Sequence, residues 1–259
     1  MTIPTLPAED LLPLDVEDTA GAALLIVNYF GILDKKVEAL TEKYQRAILL
    51  LDNAHAFFST PIMRKGVYNI YSAKKFFGIP DGAYVIGEEM REEIQELSYS
   101  NDFSQYLLKA LELGTNAAYE LKKNVDQWLS VHYGSMTVLS KALLENVNYS
   151  NVLNTRKKNF LLYHKAFGNI NGLCIDGTAA AYHYPLLIKR AGNRIKRELI
   201  KERIYVPSLW RGSYLLEQGI PFELELAEHT IFLPVDQRYD REDIEFIIER
   251  AGFYIHEYT

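Results

Sequence analysis

The 259-residue sequence has one cysteine, Cys174, and no apolar run long enough to cross a bilayer. A single cysteine excludes an internal disulfide framework and a zinc site built from cysteines, and it indicates a reducing compartment. Residues 1–18 are acidic and lack the pattern of a secretory signal peptide. We therefore expect a cytoplasmic protein that does not enter the membrane.

An excess of positive charge is also missing. The formal net charge is -6 at pH 7, and the basic residues are dispersed apart from a short cluster between Lys189 and Arg203. A nucleic-acid partner would favour a basic surface, so none is expected. The histidines show no metal-ligand spacing with nearby carboxylates, and we predict no metal site.

Apolar residues make up 48% of the chain, which is enough for a substantial core. Apolar runs at 22–28 and 47–51 flank a segment of helical spacing at 33–44, and this pattern predicts a strand, a helix and a second strand. Such an order in a short span is typical of a βαβ unit with a parallel sheet. Further strands are predicted at 67–71 and 83–86, so the fold class is α/β.

The chain after this sheet is predicted to be mainly helical. Amphipathic spacing predicts helices at 88–97, 102–113, 117–130, 136–146 and 149–167. A small α+β module follows, with strands predicted at 179–188, 204–206 and 229–233 and helices at 192–203 and 240–251. We divide the chain into a domain of residues 1–131, which holds the sheet and the first helices, and a C-terminal α+β domain of residues 132–259.

Polar side chains follow three predicted strands at the point where each strand ends. Asn28 ends the first strand, Asp52 follows the second, and Ser72 follows the third, with Lys74 and Lys75 just after it. Ligands bind at the carboxyl ends of the strands in open α/β sheets. Each residue alone has an ordinary explanation, since aspartate commonly ends an element and a turn with two lysines is usually solvated. Their convergence on one sheet edge is what indicates a site.

A carboxylate, a hydroxyl and a lysine are the groups that pyridoxal phosphate requires of a protein. Lysine binds the cofactor aldehyde, and the carboxylate keeps the pyridine nitrogen protonated, so that the ring draws off electrons. To attack an aldehyde, the lysine must be unprotonated, so its pKa must fall below the usual value of about 10.4. Burial against Phe76 and Phe77 would lower it. The alternative is that Asp52 and Lys75 form only a structural ion pair.

Two segments, AILLLDNAHAF at 47–57 and NIYSAKKFFGIPDGA at 69–83, resemble the core of a fold type I, aspartate-aminotransferase-like pyridoxal-phosphate enzyme. Within that superfamily, the sequence is most similar to the DegT-type sugar aminotransferases, over most of the chain from about Leu24 onward. The resemblance implies an aminotransferase of sugar biosynthesis that uses an amino-acid donor and a keto sugar or nucleotide-sugar. It also implies a homodimer.

The same resemblance implies roles for single residues. Asp52 would pair with the pyridinium nitrogen, His55 would lie by the cofactor ring or its phenolic oxygen, and Ser72 would bind the phosphate. Lys75 would bind the cofactor covalently. Lys74 is the alternative, but the Ser-x-x-Lys spacing favours Lys75.

Asn28 and Tyr29 fall where the family brings a further polar group toward the ring. Only about twenty residues precede that strand, whereas the family has there several strands and helices, including the segment that holds the phosphate. We therefore expect an incomplete fold type I large domain, followed by a helical region and a small α+β C-terminal domain. A non-catalytic relic of this fold that serves as a binding or assembly partner is the alternative function.

Overall fold

The computed structural model describes residues 6–7, 16–90, 104–131, 134–175, 177, 179–209 and 221–259. The chain falls into two compact units. The sheet unit comprises residues 17–27 and 37–149, and the C-terminal unit comprises residues 1–16, 28–36 and 150–259. The predicted domain boundary between residues 131 and 132 stays a prediction.

Strands and helices alternate in the first part of the chain, and helices dominate after it. The strands are β1 (Leu6–Pro7), β2 (Ala23–Val27), β3 (Ile48–Asp52), β4 (Val67–Ser72), β5 (Ala83–Ile86), β6 (Leu173–Cys174), β7 (His183–Leu187) and β8 (Thr230–Pro234). The helices are α1 (Asp34–Lys43), α2 (Ala73–Phe76), α3 (Gln105–Leu113), α4 (Thr115–Leu129), α5 (Val138–Glu145), α6 (Tyr149–Phe167), α7 (Gly192–Lys201), α8 (Pro221–His229) and α9 (Arg241–Tyr258). Four of the helices predicted after the sheet are confirmed as α3 to α6. The helix predicted at 88–97 falls mostly outside the described residues, and residues 88–90 are not helical.

A four-stranded sheet in the order β2-β3-β4-β5 forms the centre of the sheet unit. Strands β2, β3 and β4 run parallel, and β5 runs antiparallel to β4. Helix α1 connects the parallel strands β2 and β3, which confirms the predicted βαβ unit. Val27 aligns with Asp52, and Asp52 aligns with Ile70, so the three parallel strands end at one edge of the sheet.

Side chains alternate between the two faces of this sheet. One face is closed, because Ile26, Leu49 and Leu51 are almost entirely buried. The other face is apolar but open, since Leu25 is 58% exposed and Val85 is 47% exposed. Parallel sheets are generally covered on both faces, so this open face is unusual.

Helices α3 and α4 form a helical hairpin within the sheet unit. They meet at Gly114, whose φ of 86° lies in a region that suits glycine. Tyr106 from α3 packs with Ala118 and Val125 from α4 in a small core. Among the helices described, none has both the length and the apolar character of a membrane span.

The C-terminal unit contains two short sheets, with β7 antiparallel to β8 and β1 parallel to β6. Phe160 of α6 packs on Tyr184 of β7 with 4.9 Å between their ring centres. The helix predicted at 240–251 is confirmed as α9, and Asp240 and Asp243 form a capping box at its start. The strand predicted at 204–206 is wrong, because those residues leave α7 without forming a strand. Their apolar run is too short to distinguish a strand from a buried connection.

Candidate active site

The carboxyl edge of the sheet carries the predicted polar residues of the sheet unit. Asp52 is the last residue of β3, and Ser72 is the last residue of β4. Asp52 aligns with Ile70, and Ser72 lies two residues after Ile70. The side chains of Asp52 and Ser72 therefore lie on the same face of the sheet, the open one. Lys74 and Lys75 follow in α2, which is a single helical turn. The parallel strand order thus brings residues that are distant in sequence to one edge.

Asp52 uses one of its two carboxylate oxygens in a local turn. Oδ1 accepts a hydrogen bond from Ala54 N at 2.9 Å, the ordinary role of an aspartate at the end of an element. Across the part of the chain that the structure describes, Oδ2 has no hydrogen bond and Asp52 has no ion pair. The structural ion pair with Lys75 is therefore wrong, and Oδ2 is available to a donor that a ligand brings.

Ser72 has a hydroxyl without a protein partner. The residue is half-buried, and it precedes α2 without capping that helix. A serine at a helix start normally accepts a hydrogen bond from the first turn. This hydroxyl makes no hydrogen bond to any residue within the described ranges, so it is free to bind a group from outside the protein.

Lys75 lies close enough to Asp52 and His55 to interact with both electrostatically. Burial lowers the pKa of the Lys75 amine, and the negative charge of Asp52 opposes that shift. The residue as a whole is exposed, so burial affects only part of the side chain, although Phe76 and Phe77 beside it are buried. The amine makes neither a hydrogen bond nor an ion pair with the described residues. A molecule placed over Lys75 would complete its desolvation.

His55 adds a neutral ring to this site. The residue is 8% exposed, and its burial, together with the positive charge of Lys75, lowers the pKa of His55 to about 3. The imidazole is therefore uncharged at neutral pH and offers one donor and one acceptor. Its predicted place beside the cofactor ring stays a prediction.

Lys74 reaches a different environment from Lys75. Its amine lies 2.6 Å from Asp126 Oδ1 in α4 and 5.9 Å from the centre of the Tyr106 ring in α3. Consecutive residues of a helix project about 100° apart, which explains why two adjacent lysines diverge. The structure thus pairs Lys74 with the helical hairpin and leaves Lys75 at the sheet edge.

Asn28 belongs to the C-terminal unit, and its side chain is buried in a local turn. Its Nδ2 donates a hydrogen bond to Asp34 Oδ1 at 2.7 Å, and its Oδ1 accepts one from Leu33 N at 2.9 Å. These bonds shape the connection that leads into α1. The predicted contact of Asn28 with the cofactor stays a prediction.

Sequence patterns do not reveal that an aromatic cluster supports α2. Phe57 lies 5.0 Å from Phe77 and 5.6 Å from Phe76, measured between ring centres. Its ring is also stacked on that of Tyr149 at 6.4 Å and 11°. The available signal was the position of Phe57 two residues after His55. The cluster holds the helical turn that carries both lysines.

Asp81 fixes the loop that follows α2. Its carboxylate accepts hydrogen bonds from Thr137 N at 2.9 Å and from Thr137 Oγ1 at 2.7 Å, just before α5. Ser140 Oγ donates to the same carboxylate. Because Asp81 is buried and has three donors, its role is structural.

The groups at the sheet edge fit pyridoxal phosphate chemically. Asp52 Oδ2 suits a protonated ring nitrogen, the amine of Lys75 suits the aldehyde, and the hydroxyl of Ser72 suits the phosphate. Within the described chain these three groups have no hydrogen-bond partner, and none of the three residues is fully buried, so the groups are accessible to a ligand. That same part of the chain holds no group of three His, Cys, Asp or Glu side chains placed to bind a metal ion.

No protein-family model and no curated protein matches the sequence. Solved structures do match it. The sugar aminotransferase CalS13 from Micromonospora echinospora superposes with a TM-score of 0.53 and 17% identity, over 89% of this chain and 67% of that one. A DegT DnrJ EryC1 StrS aminotransferase from Brucella abortus superposes with a TM-score of 0.55 and 15% identity, over 90% of this chain and 64% of that one.

A third match is Spr1654 from Streptococcus pneumoniae, which is described as a sugar aminotransferase and was solved in its PLP form. It has a TM-score of 0.53 and 15% identity, over 92% of this chain and 69% of that one. These matches confirm the resemblance at the level of the fold, which is the mixed α/β fold of sugar aminotransferases, fold type I. The chain spans about two thirds of the length of the structures it matches.

Proposed function

We propose that the protein is a pyridoxal-phosphate-dependent aminotransferase that moves an amino group from an amino-acid donor to a keto sugar or nucleotide-sugar. The observation that carries this proposal is the unpaired amine of Lys75, which interacts with Asp52 and His55 at the carboxyl edge of the sheet. The fold shared with sugar aminotransferases supports the reaction class and the sugar substrate. The match to a structure in its PLP form supports the cofactor.

Each side chain at the sheet edge would contact a different part of the cofactor. Pyridoxal phosphate, when bound, supplies an electron sink for negative charge at the carbon that carries the transferred amine. Asp52 Oδ2 would accept the hydrogen bond of the ring nitrogen, and its negative charge would keep the proton there. Ser72 would bind the phosphate through its hydroxyl. His55, which is uncharged, would donate or accept one hydrogen bond beside the ring without adding positive charge.

Lys75 has two tasks in this proposal. Its amine would hold the cofactor at the aldehyde carbon until a donor amine takes its place. The same amine would then serve as the general base that removes a proton from the α-carbon of the donor, and as the acid that returns one. The lowered pKa of Lys75 suits both tasks, because the neutral amine is the nucleophile and the base.

The non-catalytic relic is not favoured as a function. The carboxylate of Asp52, the hydroxyl of Ser72 and the amine of Lys75 at one sheet edge are the groups that the cofactor would need. The three matched proteins described above are all named as aminotransferases.

A homodimer is part of the proposal, and sedimentation of the purified protein tests it.

Absorption spectroscopy tests the proposed cofactor. The purified chain, incubated with excess pyridoxal phosphate and freed of the unbound compound, should keep a visible band that the Lys75→Ala variant loses. Lys65→Ala is the matched control, because Lys65 is a strongly exposed lysine of the same unit and should leave the band unchanged. A wild-type protein that never retains the cofactor, or a Lys75→Ala variant that retains the same band, contradicts the proposal.

A further inference from the structure

Of the two lysines in α2, only Lys74 has a partner among the described residues. Lys74 Nζ lies 2.6 Å from Asp126 Oδ1, and its side chain is 21% exposed. The second oxygen of Asp126 lies 2.5 Å from Lys122 Nζ, so both oxygens of this carboxylate are occupied. The amine of Lys75 makes no comparable contact with any residue that the structure describes. Of the two adjacent amines, the carboxylate of Asp126 therefore binds only that of Lys74.

The helical hairpin builds the surroundings of the Lys74 amine. Tyr106 of α3 places its ring below that amine, where the ring face attracts a positive charge. The hydroxyl of Tyr106 also donates a hydrogen bond to Ile79 O at 3.4 Å. Ile79 lies in the loop after α2, so the hairpin contacts both the lysine and the segment that follows it.

Helix α2 is a four-residue turn that Ser72 does not cap. The aromatic cluster holds this turn through Phe76, not through the side chains of its two lysines. A lysine carries its amine on a flexible stem of four carbons, so without a partner the amine samples many positions. The ion pair with Asp126 therefore restricts where the amine of Lys74 lies.

We propose that Asp126 is a positioning residue that holds Lys74 in the hairpin and so leaves Lys75 as the amine that reacts with the cofactor aldehyde. This inference rests on the proposed function. An amine that is protonated and bound to a carboxylate has no free electron pair with which to attack a carbon. Removal of the carboxylate frees Lys74 to compete with its neighbour.

Chemical reduction of the bond between lysine and cofactor identifies which of the two lysines has reacted. The neutral amine adds to the aldehyde carbon, water leaves, and a carbon–nitrogen double bond remains. Added borohydride delivers a hydride to that carbon, a proton from water completes the amine, and the pyridoxyl group stays on the lysine that reacted. Proteolysis and mass spectrometry then identify that lysine directly, independently of catalytic activity.

The wild-type chain, treated with pyridoxal phosphate and borohydride, should carry the label on Lys75. In Asp126→Asn, the share of label on Lys74 should rise about fivefold, as expected for the loss of one partly exposed ion pair. Asp126→Glu can still form the ion pair and should restore labelling of Lys75. Lys122→Ala is the matched control, because it removes the other partner of Asp126 and should leave the label on Lys75.

Each other outcome has a defined meaning. Label on Lys75 alone in both wild type and Asp126→Asn overturns the role of Asp126 and leaves the proposed function standing. A wild type that carries more label on Lys74 than on Lys75 also overturns it. Label on neither residue above the level of the exposed Lys65 overturns the proposed function itself.

A measurement on the wild-type chain alone covers the case in which Asp126→Asn does not fold. Competitive acetylation without any cofactor measures how available each amine is. Because salt screens partly exposed ion pairs, raising the salt should increase acetylation of Lys74 relative to Lys141, an exposed lysine without an ion pair among the described residues. The increase should be larger for Lys74 than for Lys75. A Lys74 that is acetylated as readily as Lys141 at low salt contradicts the inference.

Discussion

Polar side chains in the interior of the sheet and at its carboxyl edge differ in their hydrogen bonding. Asn69, fully buried in β4, donates hydrogen bonds to Ile62 O at 3.0 Å and to Ile86 O at 3.1 Å, and accepts one from Ile62 N at 2.9 Å. Three residues later in the same strand, the hydroxyl of Ser72 has no partner among the described residues. A single strand therefore carries one polar side chain that is fully hydrogen-bonded within the fold and another without a protein partner among the described residues.

This difference follows from the cost of burying polar atoms. A buried polar group without a partner costs about 1–3 kcal/mol, so the interior of the sheet must satisfy every atom of Asn69. Asp52 and Ser72 are half-buried and Lys75 is exposed, so water can form hydrogen bonds with them. The comparison predicts stability effects inside the sheet and functional effects at its edge.

The largest effect on stability is expected for Asn69→Ala. The change leaves two carbonyl groups and one N–H without their partner in a buried place, so the free energy of unfolding should fall by about 3 kcal/mol. Urea denaturation followed by circular dichroism measures it. A loss below about 1 kcal/mol would mean that water reaches this position and that the interior is less closed than the structure shows.

At the edge, Asp52→Asn should reduce kcat by about 100-fold, because a neutral amide no longer holds a proton on the ring nitrogen. The asparagine still accepts the hydrogen bond from Ala54 N, so the free energy of unfolding should change by less than about 0.5 kcal/mol. Steady-state kinetics and urea denaturation separate the two effects. An equally active variant would remove Asp52 from the proposed site.

Stability should also depend on pH through His55. Its pKa is lowered in the folded chain from the usual value near 6.5 to about 3, so acid favours the unfolded state, which binds the proton more readily. The contribution is complete above about pH 6.5 and is lost progressively toward pH 3. Between pH 8 and pH 5, wild type should lose about 2 kcal/mol more than His55→Gln. Equal losses in the two proteins would show that His55 is solvated.

The smallest effect is expected for Ser72→Ala. Its affinity for pyridoxal phosphate should fall about tenfold, because one hydrogen bond to the phosphate is lost. Its free energy of unfolding should stay within about 0.5 kcal/mol of wild type. Cofactor titration and urea denaturation check both values. A destabilisation as large as that of Asn69→Ala would show that the Ser72 hydroxyl stabilises the fold. Ser72 and Asn69 would then have the same role in β4.

The ends of the buried strands could be predicted from the sequence. An apolar run that stops at a polar residue marks the end of a strand, which locates Asp52 after Ile48–Leu51. A short strand, helix and strand allow few arrangements other than a parallel pair of strands. The pairing of β2 with β3 could therefore also be predicted. The edge that carries the candidate site was therefore predictable.

Contacts between distant elements could not be predicted in this way. The partner of Lys74 is Asp126, which lies 52 residues away in another helix, and no local pattern reports such a pair. Asn28 was assigned to the site because it ends a strand. The chain turns sharply after it, with a φ of 63° at Phe30, and its hydrogen bonds to Leu33 and Asp34 come from that turn.

The stacking of Phe57 on Tyr149 has a consequence for experiments in solution. Phe57 also contacts Tyr71 and Tyr84 at 6.3 Å between ring centres, so three tyrosines are held in one fixed arrangement beside the lysine-bearing turn. Immobilised aromatic rings give a near-ultraviolet circular dichroism signal that vanishes when specific packing is lost. Loosening of this turn would therefore be visible optically in the unliganded chain, with far-ultraviolet intensity unchanged.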